Sequence, residues 1–346
     1  MDVFELTRAL ADIESITGNE RRAGQFLLDY LTPLAARFGG RVERMDVEPG
    51  RFNVFAQWGE RLTVTLSTHM DTVPPFFASR EDADRIWGRG SCDAKGIAAS
   101  MIKAVEALLA AGERDFGVLF VVGEERNSPG AYHAAATPRG SRYIVNGEPT
   151  ENKLAVGCKG ALRYEVAASG KMAHSAYPEL GDSAIHKLVE ALHRILQIPL
   201  PSDRVLGHST LNVGTISGGH APNVIADEAR AEILVRLVGD SGQIKRALEE
   251  AVARPAGRSA PLAELREILE LPALHLNALD GIPATVVAYT TDIPAFGGQW
   301  GEAFLLGPGS IHVAHTPGEF VPKRQLLEAV QLYQDVIRQL CKRESK

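Results

Sequence analysis

The feature that most constrains the fold is a series of four apolar or glycine-rich runs between residues 62 and 150, each ending at residues able to bind a metal ion. The ends of the runs carry, in chain order, His69 with Asp71, then Asp93, then Glu124 with Glu125, and last Glu148. Ligands of open parallel sheets bind outside the carboxyl ends of the strands, so side chains this far apart in the chain can meet. The sequence therefore predicts an α/β domain with a mainly parallel central sheet flanked by helices, and a divalent-ion site at the sheet edge.

Two of the runs have the character of strands. Residues 118–122 are continuously apolar, which is typical of a central parallel strand buried on both faces. Residues 62–66 alternate between apolar and polar, which indicates a half-buried strand. The end of that strand presents His69 and Asp71 on one face, because they are two residues apart. A metal-bound imidazole needs an acceptor at its second nitrogen, and Asp71 suits that role; an exposed pair in the turn before Pro74 is the alternative.

Asp93 lies in a glycine-rich stretch, residues 88–96, followed by apolar residues at helical spacing from Ile97 to Leu109. Glycines allow a tight turn ahead of a helix, and that turn would present the Asp93 carboxylate. The stretch lacks the Gly-x-x-x-x-Gly-Lys-Ser/Thr pattern of a phosphate loop. Asp93 is therefore predicted to be a metal ligand, with a helix cap as the alternative.

Glu124 and Glu125 directly follow the buried run. Adjacent carboxylates repel each other unless one binds a cation and the other is kept for proton transfer, which is the division that metal-assisted hydrolysis needs. Two solvated loop glutamates are the alternative. Glu148 follows another short apolar run and is a further candidate ligand.

Composition excludes several classes of protein. The chain has 346 residues, 45% hydrophobic and 23% charged, which is enough for one large core or two unequal ones, and two domains are predicted. A formal net charge of −6 gives no basic footprint for nucleic acid. No apolar run approaches the length of about 18 residues that a membrane span needs. We expect neither a nucleic-acid partner nor a membrane partner.

Cysteine usage and the first residues favour the cytoplasm. The chain has three cysteines and no Cys-x-x-Cys pair, so a disulfide framework is not expected. The start of the chain has no basic segment followed by an apolar block, so we expect no secretory signal.

The pattern changes between residues 154 and 266. Period-two alternation at 162–166, 211–213 and 231–237 predicts an antiparallel sheet with one exposed face. Apolar residues at helical spacing at 184–195 and 244–252 predict two helices. We therefore predict an inserted α+β domain, residues 155–267, within a catalytic domain formed by residues 1–154 and 268–346.

Taken in order, four motifs resemble those of a known family. They are His69-Met-Asp71, Gly88-Arg-Gly-Ser-Cys-Asp93-Ala-Lys-Gly96, Gly123-Glu-Glu125 and Gly147-Glu-Pro-Thr150. The set resembles the metal-site motifs of the zinc amidohydrolase and metallopeptidase family of acetylornithine deacetylase, succinyl-diaminopimelate desuccinylase and glutamate carboxypeptidase. The resemblance covers nearly the whole chain, and the ordered set is far more specific than any one motif.

The resemblance implies a centre of two divalent ions, with zinc expected and cobalt or manganese as alternatives. Asp93 would bridge the ions, and the other ligands would be His69 with Glu148 and Glu125 with His315. Glu124 would be the general base, and Asp71 would hold His69. His315 matches the closing motif of the family by its place four residues before Glu319, and His312 is the competing candidate.

The inserted domain resembles a lid that also forms a homodimer contact. Within it, His174 resembles the family histidine that stabilises the oxyanion. Asn223 and Arg236 resemble residues that hold a substrate carboxylate, for which the planar fork of arginine is suited. A surface histidine and an exposed strand arginine are the alternatives, and His220 is left undecided.

One segment departs from the family pattern. Residues 269–288 are short, contain Pro272 and Pro283, and lead to Thr290-Thr-Asp292 where the family has Gly-Thr-Asp. We predict that the catalytic domain lacks one peripheral helix there. The change affects the wall of the pocket, and hence the substrate, more than the metal site.

The implied function is hydrolysis of the amide bond of an N-acyl amino acid by a metal-activated water, with Glu124 as general base. A dipeptidase or carboxypeptidase acting on a short peptide is the alternative within the family. An inactive dimeric binding module is an alternative from another class, and the complete ligand set argues against it.

Overall fold

The structure is a computed structural model that describes residues 1–254 and 261–344. It divides into two compact units. The first unit contains Met1–Val156, Leu276–Thr285 and Thr291–Lys346, and the second contains Gly157–His275 and Val286–Thr290. The predicted domain limits, and the roles of lid and dimer contact, stay predictions.

The described residues form eight α-helices and one 3₁₀ turn at Pro178–Leu180. The helices are α1 Val3–Ala11, α2 Arg21–Phe38, α3 Lys95–Ala110, α4 Pro129–Ala136, α5 Ala184–Ile195, α6 Gly242–Val252, α7 Ile293–Phe296 and α8 Lys323–Glu344. In the described part of the chain, no helix combines the length and the hydropathy that crossing a bilayer requires.

The same residues form twenty strands, many of them short. The strands are β1 Gly40–Glu48, β2 Arg51–Trp58, β3 Val64–His69, β4 Arg80–Glu81, β5 Arg85–Trp87, β6 Phe116–Val121, β7 Tyr143–Asn146, β8 Leu154–Cys158, β9 Gly160–Ser169, β10 Ala173–His174, β11 Ser202–Asp203, β12 Gly207–His208, β13 Thr210–Gly218, β14 Val224–Ile225, β15 Glu228–Leu237, β16 Glu264–Leu271, β17 Leu274–His275, β18 Ala284–Val287, β19 Glu302–Leu305 and β20 Phe320–Pro322.

A six-stranded sheet forms the centre of the first unit, in the order β1-β2-β6-β3-β7-β19. Strands β6, β3, β7 and β19 run parallel to one another, whereas β2 pairs antiparallel with β6 and β1 pairs antiparallel with β2 at the edge. The predicted mainly parallel sheet is therefore confirmed. Because β3, β6 and β7 are parallel neighbours, the residues that follow them emerge at the same edge.

Strand β6 shows why this sheet is stable. Phe116, Val118 and Phe120 belong to one buried apolar cluster, whereas Leu119 and Val121 belong to another. Both faces of the strand are thus covered, as expected for a continuous apolar run in a parallel sheet. On the larger cluster, helices α1, α3 and α8 pack against one another.

Helix α3 has the limits that its sequence predicts. It begins at Lys95, two residues after Asp93, and ends at Ala110, two residues before Gly112, which has φ of 83°. Its apolar residues, including Ile97 and Met101, are buried. The helix therefore fixes the position of the loop that carries Asp93.

The second unit contains a four-stranded antiparallel sheet in the order β13-β15-β9-β16. Strand β15 pairs with β9 over its whole length, with Ile233 opposite Tyr164. Side chains at alternate positions of β9 and β15 join α5 and α6 in one buried apolar cluster. This confirms the predicted antiparallel region.

Residues 272–292, all of which the structure describes, hold the short strands β17 and β18 and no helix. The prediction that a peripheral helix of the family is missing there stays a prediction.

Candidate metal centre

His69 is the last residue of β3, and only 1% of its side chain is exposed. Its Nε2 lies 3.0 Å from Asp93 Oδ1. Its Nδ1 lies 3.0 Å from the main-chain oxygen of Asp71 and 3.5 Å from Asp71 Oδ1. The ring is therefore held from both sides, with Nε2 directed at the Asp93 carboxylate.

The Asp71 carboxylate also accepts four hydrogen bonds that the sequence does not predict. Oδ1 accepts hydrogen bonds from the main-chain N–H of Gly123 at 2.9 Å and of Glu124 at 3.1 Å. Oδ2 accepts from the Glu125 N–H at 3.2 Å and from the Thr17 hydroxyl at 2.8 Å. The Asp71 carboxylate thus lies beside His69 and also orients the turn that carries Glu124 and Glu125.

Gly123 makes this turn possible. Its φ is 80°, and a Cβ built there would lie 2.6 Å from Pro129 Cγ. Only glycine adopts such a conformation without strain. The turn directs the three N–H groups at Asp71 and sends the two glutamate side chains toward the sheet edge.

Asp93 lies between the two histidines. Its Oδ1 faces His69, and its Oδ2 lies 3.3 Å from His315 Nε2. Burial alone would raise the pKa of Asp93, but His315 and His69 hold it below the usual value. Each oxygen of one carboxylate therefore belongs to a different histidine.

Glu125 and His315 form the second side of the site. Glu125 Oε1 lies 2.8 Å from His315 Nε2, and hydrogen bonds with Asp93 and Glu125 raise the pKa of His315 to about 10. The His315 side chain is 46% exposed, so this side opens to solvent. His312, the competing candidate, belongs to neither ligand group found in the described residues.

Glu148 follows β7 and is 3% exposed. Its Oε1 is buried and has no hydrogen-bond partner among the described residues. A buried oxygen without a donor is costly, and a bound cation would be a suitable partner for it.

Two groups of ligand atoms result, and Asp93 belongs to both. They are His69, Asp93 and Glu148, and Asp93, Glu125 and His315, with all ligand atoms of a group within 4.8 Å of one another. The structure therefore brings together all five side chains that the sequence analysis named as ligands.

The pKa values of the clustered carboxyl groups favour the binding of cations. Burial raises the pKa of Glu124 and Glu148 well above the usual value, and raises that of Glu125 as well. Burial also raises the pKa of Asp292 to about 7. Several carboxyl groups share a dry site with two histidines, so divalent ions would relieve their mutual repulsion.

Thr17 contacts Asp71, Glu319 contacts the Asp93 N–H, and Arg89 pairs with Glu319; the sequence analysis missed all three as functional residues. The residues from Thr17 to Glu20 have a pattern typical of a helix cap, but the N-cap of α2 is Glu20, which makes no side-chain cap. In the sequence analysis, Glu319 was used only to identify His315, which lies four residues before it. The closing motif, which places a carboxyl four residues after His315, was the available signal for Glu319.

The three residues predicted to contact substrate lie in the second unit. His174 and Asn223 are close to each other, since His174 pairs with Val224 and the Ser175 N–H donates to the Asn223 carbonyl at 3.0 Å. His174 is exposed, and its Nδ1 accepts from the Ala176 N–H at 3.1 Å. Arg236 is half-buried on β15.

Comparison with known proteins supports the family resemblance. The model described as peptidase family M20/M25/M40 matches residues 65–339. A "Peptidase M20 domain-containing protein" of Schizosaccharomyces pombe is 38% identical over 344 residues, covering 97% of this chain and 84% of that protein. A "Probable carboxypeptidase" of Aspergillus flavus is 37% identical over 369 residues, covering 95% of this chain and 85% of that protein.

The fold has solved relatives too. The crystal structure of an M20 family metallo-carboxypeptidase from Sulfolobus solfataricus matches with a TM-score of 0.77 at 15% identity, covering 98% of this chain and 99% of that chain. At this identity the likeness concerns the fold alone. Given the family match and the identity to its curated relatives, the chain belongs to peptidase family M20/M25/M40 and is a metal-dependent hydrolase that acts on peptide bonds.

Proposed function

We propose that the site binds two divalent ions, with zinc expected and cobalt or manganese as alternatives. The observation that carries this proposal is the orientation of Asp93, whose two oxygens face His69 and His315 separately. Imidazole and carboxylate groups in this number suit zinc, and the unpartnered Oε1 of Glu148 is available as a ligand atom. Bound ions would polarise the scissile carbonyl and lower the pKa of water.

In this proposal the five ligands divide into a shared bridge and two pairs. Asp93 would be shared by the two ions, His69 and Glu148 would hold one ion, and Glu125 and His315 would hold the other. Asp71 holds the ring of His69 and the turn that carries Glu125.

Glu124 is the proposed general base. Burial raises its pKa well above the usual value of a glutamate, which suits a group that takes a proton from water near neutral pH. The same carboxyl would return the proton to the leaving amine. The hydrogen bond from its own N–H to Asp71 fixes the main chain at this residue.

The proposed substrate is an amide whose leaving amino acid carries a free carboxylate. Arg236 supports this, because the half-buried guanidinium has no ion-pair partner within residues 1–254 and 261–344. Burial lowers its pKa, and a carboxylate from the substrate would offset that cost. Asn223 is proposed to assist in holding this carboxylate.

Peptides are the favoured substrates, because a curated relative at 37% identity bears the name carboxypeptidase. An N-acyl amino acid is the second candidate. It presents the same amide and the same free carboxylate, and the motif Gly147-Glu-Pro-Thr150 resembles that of deacylases.

His174 is proposed to stabilise the oxyanion. Because Nδ1 accepts a hydrogen bond from the Ala176 N–H, the neutral ring carries its proton on Nε2. That N–H is able to donate to the oxygen of the reacting carbonyl.

We also propose a homodimer through the second unit. Val189 on α5 and Leu196 directly after α5 are 54% and 55% exposed, and Ile216 of the edge strand β13 is 60% exposed. A Cβ built on Gly219, next to the end of β13, would lie 2.9 Å from Ile185 Cδ1, so α5 starts beside that strand. Grouped apolar side chains and an open strand edge suit pairing with a second copy.

The test is hydrolysis of a matched panel by wild-type protein, with and without chelator. The panel contains N-blocked dipeptides, free dipeptides, N-acetyl and N-succinyl amino acids, and the C-terminal amide of each. We expect chelator-sensitive cleavage of N-blocked dipeptides with a free carboxylate and little cleavage of their amides. Equal cleavage of the amides would contradict the carboxylate requirement, and preference for acyl amino acids would favour the second candidate.

An Arg236→Met variant sharpens the test. Loss of the guanidinium should raise KM for carboxylate substrates and leave KM for their amides unchanged. Arg163→Met is the matched control, because Arg163 is also a strand arginine of this sheet but pairs with Glu232.

A further inference from the structure

Glu319 is fully buried, with 0% of its surface exposed. Its Oε1 accepts hydrogen bonds from three main-chain N–H groups: Gly90 at 2.9 Å, Cys92 at 3.1 Å and Asp93 at 3.2 Å. The loop that carries Asp93 is therefore wrapped around this carboxylate. Convergent main-chain N–H groups of this kind form an anion-binding concavity, and here a side chain of the same protein occupies it.

The other oxygen of Glu319 pairs with Arg89, whose side chain is 1% exposed. Arg89 Nε also donates to the Pro75 carbonyl at 3.2 Å. The pair neutralises both charges inside the protein, and the guanidinium ties the carboxylate to the start of the same loop. A buried pair of this kind becomes costly when one partner is removed.

The main chain around Glu319 is fixed as well. The Gly88 N–H donates to the Glu319 carbonyl at 3.2 Å, and β20, which follows Glu319, pairs with β5, with Phe320 opposite Trp87. The segment after His315 and the segment before Asp93 are thus joined by main-chain and side-chain contacts. Glu319 is 226 positions from Asp93 in the chain, yet only four from His315.

We propose that Glu319 is a positioning residue for the metal centre, which orients the Asp93 carboxylate between His69 and His315 by holding the N–H groups of the loop. The proposal rests on the proposed function in one respect, namely that Asp93 is the bridging ligand. Arg89 holds the Glu319 side chain in place. Loss of Glu319 should therefore change metal binding through Asp93, although Glu319 itself contacts no substrate.

The test compares wild type with Glu319→Gln, which has nearly the same shape but loses the charge, and with Glu319→Asp, which keeps the charge but is shorter. Circular dichroism first establishes which variant folds. Zinc and cobalt titrations of chelator-treated protein then give metal affinity. Supporting residues behind metal ligands contribute about 10–100-fold to affinity or activity, so a loss in that range is expected.

A second readout does not depend on metal. Cys92 donates its N–H to Glu319, and its thiol is buried with Sγ 3.4 Å from the Ser310 carbonyl. If Glu319 holds the loop, its replacement should expose Cys92. The rate of alkylation by iodoacetamide, mapped to Cys92 by peptide mass, should then rise above the wild-type rate.

Glu113→Gln is the matched control, because Glu113 also pairs with an arginine, Arg338, at 2.8 Å in the same unit. The control should keep wild-type metal affinity and a wild-type alkylation rate. A wild-type value for either readout in the folded Glu319 variants overturns the proposal. If wild-type protein itself binds no metal, the proposed function fails, and the Cys92 rate alone decides this inference.

Discussion

Glu124 and Glu125 are neighbours in the chain but have different surroundings. The Glu125 carboxylate contacts His315 and belongs to one of the two ligand groups, whereas Glu124 belongs to neither group found in the described residues. Asp71 holds the N–H groups of both residues, so their side chains leave a fixed turn. This difference supports the assignment of Glu125 as a ligand and of Glu124 as the base.

The first prediction concerns these two glutamates. Glu124→Gln should lower kcat by about 10²–10⁴-fold, the usual contribution of a general base, and should leave metal content at the wild-type level. The measurements are steady-state kinetics on an N-blocked dipeptide and elemental analysis of the same sample. Glu125→Gln is the control and should lose one metal ion. Loss of metal from Glu124→Gln would contradict the role of general base assigned to Glu124.

The five proposed ligands could be named from the sequence because each follows an apolar run or lies in a motif that resembles those of the family. The residues that support them could not be predicted in the same way. Thr17 lies in a local pattern typical of a helix cap, yet its hydroxyl donates to Asp71. The contacts of Glu319 with the Asp93 loop depend on chain pairing over more than 200 positions, which local spacing does not encode.

Strands β3, β6 and β7 illustrate what pattern predicts at the level of elements. The continuous apolar run of β6 predicts a strand buried on both faces, which the structure confirms. The alternation at 62–66 predicts a half-buried strand, which is wrong, because every residue of β3 is buried between β6 and β7 in the middle of the sheet. The sheet order, with β6 between β2 and β3, was not predicted, since any apolar strand can pair with another. The two-residue strands β4 and β10 are too short to produce a pattern of their own.

The second prediction concerns α5 and β13. Wild-type protein should elute with twice the mass of the chain, and Val189→Glu combined with Ile216→Lys should elute as a monomer, because the charges would be buried in the contact. The measurement is size-exclusion chromatography with light scattering. Tyr132→Lys is the control, since Tyr132 and Val189 are both 54% exposed but Tyr132 lies in the first unit. A dimer that survives the double substitution would place the contact elsewhere.

The molecule as a whole concentrates acidic groups at one site. Burial raises the pKa of Asp292 to about 7, and hydrogen bonds raise that of His315 to about 10. A carboxyl whose pKa is raised in the folded protein stabilises the fold at pH values below its ordinary pKa, which is near 4. This stability is lost as the pH rises through the pKa of the folded state. A histidine with a raised pKa behaves in the same direction, with stability lost toward about 10.

The third prediction follows from these signs. The melting temperature of chelator-treated protein should fall as the pH rises from about 5 to about 9, because the unfolded chain releases the protons of Asp292 and His315 at lower pH than the folded protein does. Added zinc should raise the melting temperature more at high pH than at low pH, since the ligands must be deprotonated to bind it. Thermal scans across this range check both effects. A zinc effect that does not grow with pH would contradict the assigned ligands.

The most direct test of the central claim is the metal content of the purified protein after dialysis against zinc. Elemental analysis should give about two ions per chain, as expected for a site in which one carboxylate serves two groups of ligands. Asp93→Asn should reduce the content of both ions together, because Asp93 belongs to both groups. A wild-type content near zero, or a full content in Asp93→Asn, would contradict the account.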